Sequence, residues 1–199
     1  MPYKELLSIL AMGLTIYSFY PYIRSIQTGE TKPHYFSWLI WALTTTLSAF
    51  TELADHGGVG AYSVLLSGIL CFYVVYLSYQ QVRNYHITKV DWSVLFLALS
   101  SLVVWYLTSN PLWAAIILTT VDAFGFIPTF KKAYHYPWEE NITFYVIITI
   151  RNFFAIFAME NYSITTTVFL WVINILGIIL IGFIWWRRRE IRAEKNSLL

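Results

Sequence analysis

The chain has 199 residues, 58% of them hydrophobic, 19% aromatic and only 12% charged, with a formal net charge of +2. An ordinary soluble domain has about 25% charged residues, so too little polar surface is present to cover a water-soluble core. The basic residues fall in short turns between apolar runs, which excludes the exposed basic face that nucleic-acid binding requires. The expected class is an all-α integral membrane protein, because crossing the hydrocarbon layer takes about 20 mostly apolar residues at about 1.5 Å each.

Seven apolar segments follow one another, roughly over residues 5–27, 34–54, 59–82, 91–108, 111–133, 140–160 and 163–186, each close to the span length. The first carries Tyr17, Tyr20, Pro21 and Tyr22 where a cleaved signal would be short and aliphatic, so it is expected to be retained. Residues 20–41 join two apolar helices through a proline, a turn with Arg24 and Lys32, and a second proline. Thr31 with Pro33, Asn110 with Pro111, and Ser163 pair a capping side chain or a pre-set proline with the start of a helix. The fourth segment contains Asp91, Ser100 and Ser101; if it packs differently, six spans remain. The lone Cys71 lies in an apolar run and has no partner for an intrachain disulfide.

The basic residues test this division. Lys4 stands alone on one side of the alternating turns. Arg24, Lys32, Arg83, Lys89, Lys131, Lys132, Arg187, Arg188, Arg189, Arg192 and Lys195 fall on the other, and Arg151 lies inside a segment. Basic residues stay on the cytoplasmic side, so the N-terminus is expected outside and the C-terminus inside.

Residues 127–148 repeat the join at 20–41 in weaker form. Sliding the chain by 107 positions places Pro21 on Pro128, Arg24 on Lys131, Phe50 on Phe157 and Ser67 on Asn174. The order of features also repeats: apolar helix, proline, basic turn, apolar helix, short acidic turn, third helix. Three helices, a linker helix and three more give a 3+1+3 parallel repeat of three-helix bundles about an axis along the membrane normal. The expected divisions are a first bundle over 1–83, a linker helix over 84–110, a second bundle over 111–187 and a basic cytoplasmic tail over 188–199.

On this layout, and on the proline near the inner end of the first helix of each half, the chain resembles the PQ-loop superfamily. That group includes SWEET sugar transporters, their half-sized bacterial relatives, lysosomal amino-acid exporters and KDEL receptors. The Pro-Gln pair that names it reads Pro21-Tyr22 and Pro128-Thr129 here, so the glutamine is absent twice. The resemblance implies that Pro21 and Pro128 act as hinges when an inner gate opens; a static kink is the competing reading, since proline is tolerated in membrane helices.

Asp122 and Arg151 carry the clearest chemical signal. A charge at the bilayer centre costs at least about 2.5–3.5 kcal/mol, and the two lie about 18 Å from the same turn on consecutive antiparallel helices. They are expected to form a buried ion pair that either lines a central cavity or simply locks helices five and six. The acid six residues before Pro128, with an arginine in the next helix, resembles the ligand cavity of KDEL receptors; the additional basic residue of that pattern is replaced by Thr44, Thr45 and Thr46. Arg151 disfavours a cationic solute. Asn174 falls where SWEET-like proteins keep a substrate-binding asparagine, with Ser67 as its repeat mate, and Phe50 and Phe157 fall near the family's cavity aromatic. Asn152, Thr44, Thr45 and Ser67 are further candidates for lining the cavity.

His34, His56, His86 and His135 all fall in or beside turns, so no metal cluster is expected, and no cofactor is implied. The sequons at Asn141 and Asn161 lie too close to the membrane or on the wrong side for glycans, and Arg187, Arg188 and Arg189 read as a lipid-headgroup anchor. The expected function is a plasma (inner) membrane transporter that moves a small neutral, zwitterionic or anionic solute by alternating access, with proton coupling and homo-oligomer formation left open. The alternative is a seven-helix receptor or sorting protein that binds a ligand terminus without transport. No nucleophile with a base, metal cluster or second catalytic carboxylate accompanies Asp122, so an enzyme is not expected.

Overall fold

The structure, a computed structural model, describes residues 2–31, 33, 35–81 and 89–197. Lys32, His34, Arg83 and His86 lie outside the described residues, as do the side chains of Asp91, Pro128, Lys132, Glu139 and Lys195. Seven α-helices occupy the described chain: α1 (Pro2–Gln27), α2 (Tyr35–Ala54), α3 (Ala61–Gln81), α4 (Lys89–Thr108), α5 (Pro111–His135), α6 (Ile142–Ala158) and α7 (Ile164–Ser197). Single 3₁₀ turns precede α3 (Gly58–Gly60) and α6 (Pro137–Glu139), and no strand is present among the described residues.

Three helix starts show local chemistry at work. Asn110 Oδ1 accepts from Leu112 N at 2.9 Å and Ser163 Oγ from Thr166 N at 3.2 Å, so both capping residues close the first turns of α5 and α7. Asn141 does the same for α6 by accepting from Phe144 N at 3.1 Å. Thr31 does not cap α2: its hydroxyl instead accepts from Ser25 at 2.8 Å within the turn.

The interior mixes apolar side chains with many polar ones, and the exterior is strongly apolar. Ser8, Thr15, Ser18, Thr44, Ser48, Thr51 and Glu52 are buried, while Ile9, Tyr17, Tyr20, Phe96, Tyr106, Ile178 and Ile179 face outwards. Polar groups inside and apolar groups outside suit a chain whose surroundings are hydrocarbon. Many of the buried hydroxyls donate to their own helix, as Thr15 does to Ala11 O at 2.9 Å and Thr119 to Ala115 O at 2.7 Å, which satisfies them without a partner helix. Four stretches are long and apolar enough to cross a membrane: Pro2–Gln27, Gly58–Gln80, Pro111–His135 and Ile164–Ala193. The apolar parts of α4 and α6, Leu95–Thr108 and Ile142–Ala158, are shorter.

α3 lies against both α1 and α2, and α7 against both α5 and α6; α1 also packs on α6, α2 on α5, and α4 on α5 and α2. Close approach depends on small residues at these seams. A Cβ on Gly68 of α3 would stand 2.2 Å from Thr46 Oγ1 and 3.0 Å from Thr46 N of α2, so only glycine lets these two backbones meet.

α7 has 34 residues, about 51 Å of helix, and outruns a hydrocarbon layer of about 30 Å. The basic stretch expected as a separate tail from residue 188 is therefore a continuation of this helix. Two of its arginines are held by the α5–α6 turn: Arg187 Nε donates to Tyr134 O at 3.0 Å, and Arg188 donates to Pro137 O at 3.0 Å and Glu140 O at 2.9 Å. Carbonyls left over at a helix end thereby find donors, a role different from the headgroup anchor expected of these side chains.

Candidate functional site

A cavity of about 90 Å³ lies within the helix assembly. Six helices line it: α1 gives Phe19, α2 gives Trp38, Trp41 and Thr45, α3 gives Ser67 and Cys71, α5 gives Asp122 and Phe126, and α7 gives Phe169 and Ile173. The largest share comes from α6, with Phe144, Tyr145, Ile148, Arg151 and Asn152. The walls are thus mostly apolar, with aromatic rings prominent and a few polar groups at fixed places, the usual make-up of a small-molecule site.

Asp122 and Arg151 both reach this cavity, yet they are not an ion pair, which corrects the pairing expected from their depths. Asp122 Oδ1 accepts the Thr44 hydroxyl at 2.5 Å, so the acid is tied to α2. Arg151 Nη2 donates to Ser67 Oγ of α3 at 2.9 Å, while its Nε and Nη1 have no protein partner. Equal depth on consecutive helices did not imply contact because α7 packs between α5 and α6 and keeps them apart. The carboxylate whose field reaches Arg151 is instead that of Glu52 on α2. Glu52 is fully buried and neither of its oxygens has a protein partner.

No role was expected for Glu52. The signal for it was the pattern Thr44, Ser48, Glu52: three polar residues four apart share one face of a helix, and all three are completely buried. An acid at the end of such a stripe belongs to the protein interior rather than to the turn beyond.

The other candidates separate cleanly. Thr45, Ser67 and Asn152 line the cavity, and Thr44 acts through its bond to Asp122. Asn174 is buried at 1% exposure with its amide unpartnered, but it is not among the lining residues. Phe50 and Phe157 are 45% and 55% exposed and point away from the cavity, which removes both as cavity aromatics; Phe19, Trp38, Trp41 and Phe144 fill that role. Pro21 sits inside α1 with an exposed side chain, and α5 runs unbroken through position 128.

Different chemistry joins the helices towards the two ends of the assembly. On the face that carries the start of α1, polar bonds join the turn at 55–60 to the turn at 159–163. Glu160 N donates to Gly57 O at 2.9 Å, Asn161 Nδ2 to Asp55 O at 2.9 Å, and the Ser163 hydroxyl to the Asp55 carboxylate. From α1, Lys4 Nζ donates to Met159 O and Ser8 Oγ to Val59 O, each at 2.6 Å. Gly60 fits here because a Cβ would lie 2.7 Å from Met159 N and 2.9 Å from Ala155 O.

Towards the opposite face, aromatic rings from α1, α2 and α6 stack into a plug. Tyr22 lies 5.1 Å from both Trp38 and Phe144, and Phe19 stands edge-on to Phe144 at 5.4 Å and to Trp38 at 6.2 Å. Such pairs add about 0.5–1.5 kcal/mol each beyond area burial. No family model matches the chain, and neither does any curated protein or solved structure. Among the described residues no group of three or more His, Cys, Asp or Glu could hold a metal ion.

Proposed function

We propose that the chain is a seven-helix, PQ-loop or SWEET-like transporter that moves a small polar solute, neutral, zwitterionic or anionic, by alternating access. The observation that carries this reading is a cavity lined by six helices; taking α1–α3 and α5–α7 as the two triples that border it, a separate set of contacts bridges them towards each end. The polar clip ties α1 and the α2–α3 turn to the α6–α7 turn, and the aromatic plug ties α1 and α2 to α6. Rocking one triple against the other would open one end while leaving the other shut, which is the motion alternating access requires.

The 3+1+3 parallel repeat is part of the proposal, and the cavity wall supports it. Its residues fall in pairs 107 apart: Phe19 with Phe126, Trp38 with Tyr145, Trp41 with Ile148, and Thr45 with Asn152. α2 and α6 begin at Tyr35 and Ile142, also 107 apart, and the third helix of each triple is the one that touches both others. In the membrane the start of α1 faces outwards and the basic end of α7 faces the cytoplasm, as the distribution of Lys and Arg requires; a plasma (inner) membrane location follows from the same reading.

Arg151 presents two unpartnered nitrogens, Nε and Nη1, at the cavity, suited to an acceptor-rich solute end, and Asp122 offers a carboxylate for a donor end. A thermal-shift screen against sugars, amino acids, vitamins and organic acids selects a ligand, because binding to the native state raises apparent stability. Counterflow of that ligand in proteoliposomes then tests the function. Wild type should exchange it, Arg151→Ala should lose exchange while remaining folded, and Phe50→Leu and Phe157→Leu should keep it. Saturable binding with no counterflow at any pH would make the protein a receptor instead.

A further inference from the structure

Glu52 is fully buried, and the charge whose field reaches it is that of Arg151 on α6. Unpaired charge in hydrocarbon is costly enough that such groups pair, bind a counter-charge or take up a proton. Asp122 already has the Thr44 hydroxyl on Oδ1, and Arg151 already has Ser67. Glu52 has no hydrogen-bond partner on either oxygen, and the Ser48 hydroxyl one turn away on the same face is unpartnered too.

The neighbours of Glu52 leave it no second cation. α6 brings Arg151, the one charged group whose field reaches it. Lys4 of α1 is occupied by Met159 O and lies 5.1 Å over the Tyr162 ring. α3 offers the Cys71 thiol and α5 offers Asp122, while α7 contributes the amide of Asn174 and the hydroxyl of Thr166. The turns at the first face add Asp55, bound to Asn161 and Ser163, together with His56 and Glu160. A hard metal cation takes about six oxygens or more, whereas among the described residues the unpartnered side-chain oxygens on this face of α2 are those of Glu52 and Ser48.

Glu52 is also built into the closure of the first face. α2 ends with His56 at φ 60°, Gly57 N bonded to Glu52 O at 2.7 Å and His56 N bonded to Leu53 O at 3.1 Å. This is a Schellman end whose longer bond returns to residue 52. The turn that receives Glu160 and Asn161 from the other triple is therefore anchored on the backbone of the orphaned acid.

We propose that Glu52 is a coupling-proton site: a proton from the first face binds the unpartnered, fully buried Glu52 carboxylate, removes its charge and changes the footing of the first-face clip. The proposal rests on the transport reading for the word coupling, but the proton site itself can be tested without any solute. The probe is the proton alone, followed by infrared pH-difference spectra of the lipid-reconstituted protein between mildly acidic and mildly alkaline buffer.

Wild type should show a protonated-carboxyl band that is lost in Glu52→Gln, kept in Asp122→Asn and moved in frequency in Glu52→Asp, with no change when sodium replaces choline. A band that survives in Glu52→Gln, no such band in wild type, or suppression of the band by sodium would overturn the proposal, the last in favour of an alkali cation. If the Glu52 band is present but no screened ligand shows counterflow, the transport reading fails and the proton site stands.

Discussion

Removing the Asp55 carboxylate should open the first face, and the only cysteine in the chain is placed to report it. Cys71 lines the cavity at 5% exposure, so in the closed protein a membrane-impermeant thiol reagent reaches it slowly. Asp55→Ala removes the acceptor of the Ser163 hydroxyl but keeps the backbone carbonyl that holds Asn161 Nδ2 at 2.9 Å, so the turn is loosened rather than lost. A hydrogen bond to a charged group contributes about 1.5–3 kcal/mol when buried. Asp55 is half-buried, and solvent screening brings the figure down to about 1 kcal/mol. A shift of that size in a two-state gate is roughly a five-fold change in open population.

Labelling of Cys71 from the first face should accordingly rise about five-fold in Asp55→Ala at constant pH, with labelling from the opposite face unchanged behind the aromatic plug. Cys71→Ser supplies the blank. An unchanged rate would refute the polar clip as a gate, and an equal rise from both faces would report general loosening and refute it as well.

Two glycines on helices should respond oppositely to the same added methyl group. Gly68→Ala forces a carbon to 3.0 Å of the Thr46 backbone and should cost about 1–3 kcal/mol, whereas Gly13 has no atom within 4 Å of the added Cβ and Gly13→Ala should gain about 0.5–1 kcal/mol. Thermal unfolding in detergent reads both, at about 2–4 °C per kcal/mol for a chain of this size; a drop for both or for neither would contradict the α2–α3 seam. Thr44→Val should strand Asp122 Oδ1 and cost about 1–3 kcal/mol. The cost should shrink in an Asp122→Leu background, and additive losses in that double-mutant cycle would mean that the two side chains do not interact.

How much of this was legible beforehand varied with the kind of signal. Helix number and helix starts were readable, because hydrophobic runs and side chains such as Asn110 and Ser163 act within one turn of the backbone. Burial of Asp122, Arg151, Asn152 and Ser67 was also readable, since a polar group amid apolar helices turns away from lipid. Partnership was not. Asp122 and Arg151 match in depth, but depth fixes only one coordinate, and whether two helices touch depends on which third helix comes between them. The same gap misassigned Phe50 and Phe157, whose direction around the helix turns them away from the cavity. Glu52 escaped notice because the end of an apolar segment reads as surface unless the turn beyond it folds back, as Gly57 does here.

Under the repeat proposed above, the charges stand where the two halves differ. Thr44 is the mate of Arg151, Thr15 of Asp122 and Met159 of Glu52, each pair 107 apart, and all six residues are buried. The backbone, by contrast, uses both mates alike at the first face: Glu52 O receives Gly57 N at 2.7 Å, and Met159 O receives Lys4 Nζ at 2.6 Å. Two equivalent carbonyls therefore carry the closure, one beneath an acid and the other beneath a thioether. A symmetric frame with one titratable footing lets a change of charge act on one half alone. Had both footings been acids, protonation would act on both triples equally; had both been thioethers, nothing at this depth would answer to charge. In the proposed transport cycle a difference between triples would be what rocks one against the other, so the departure from symmetry at residue 52, more than the symmetry itself, would give directional gating a physical basis.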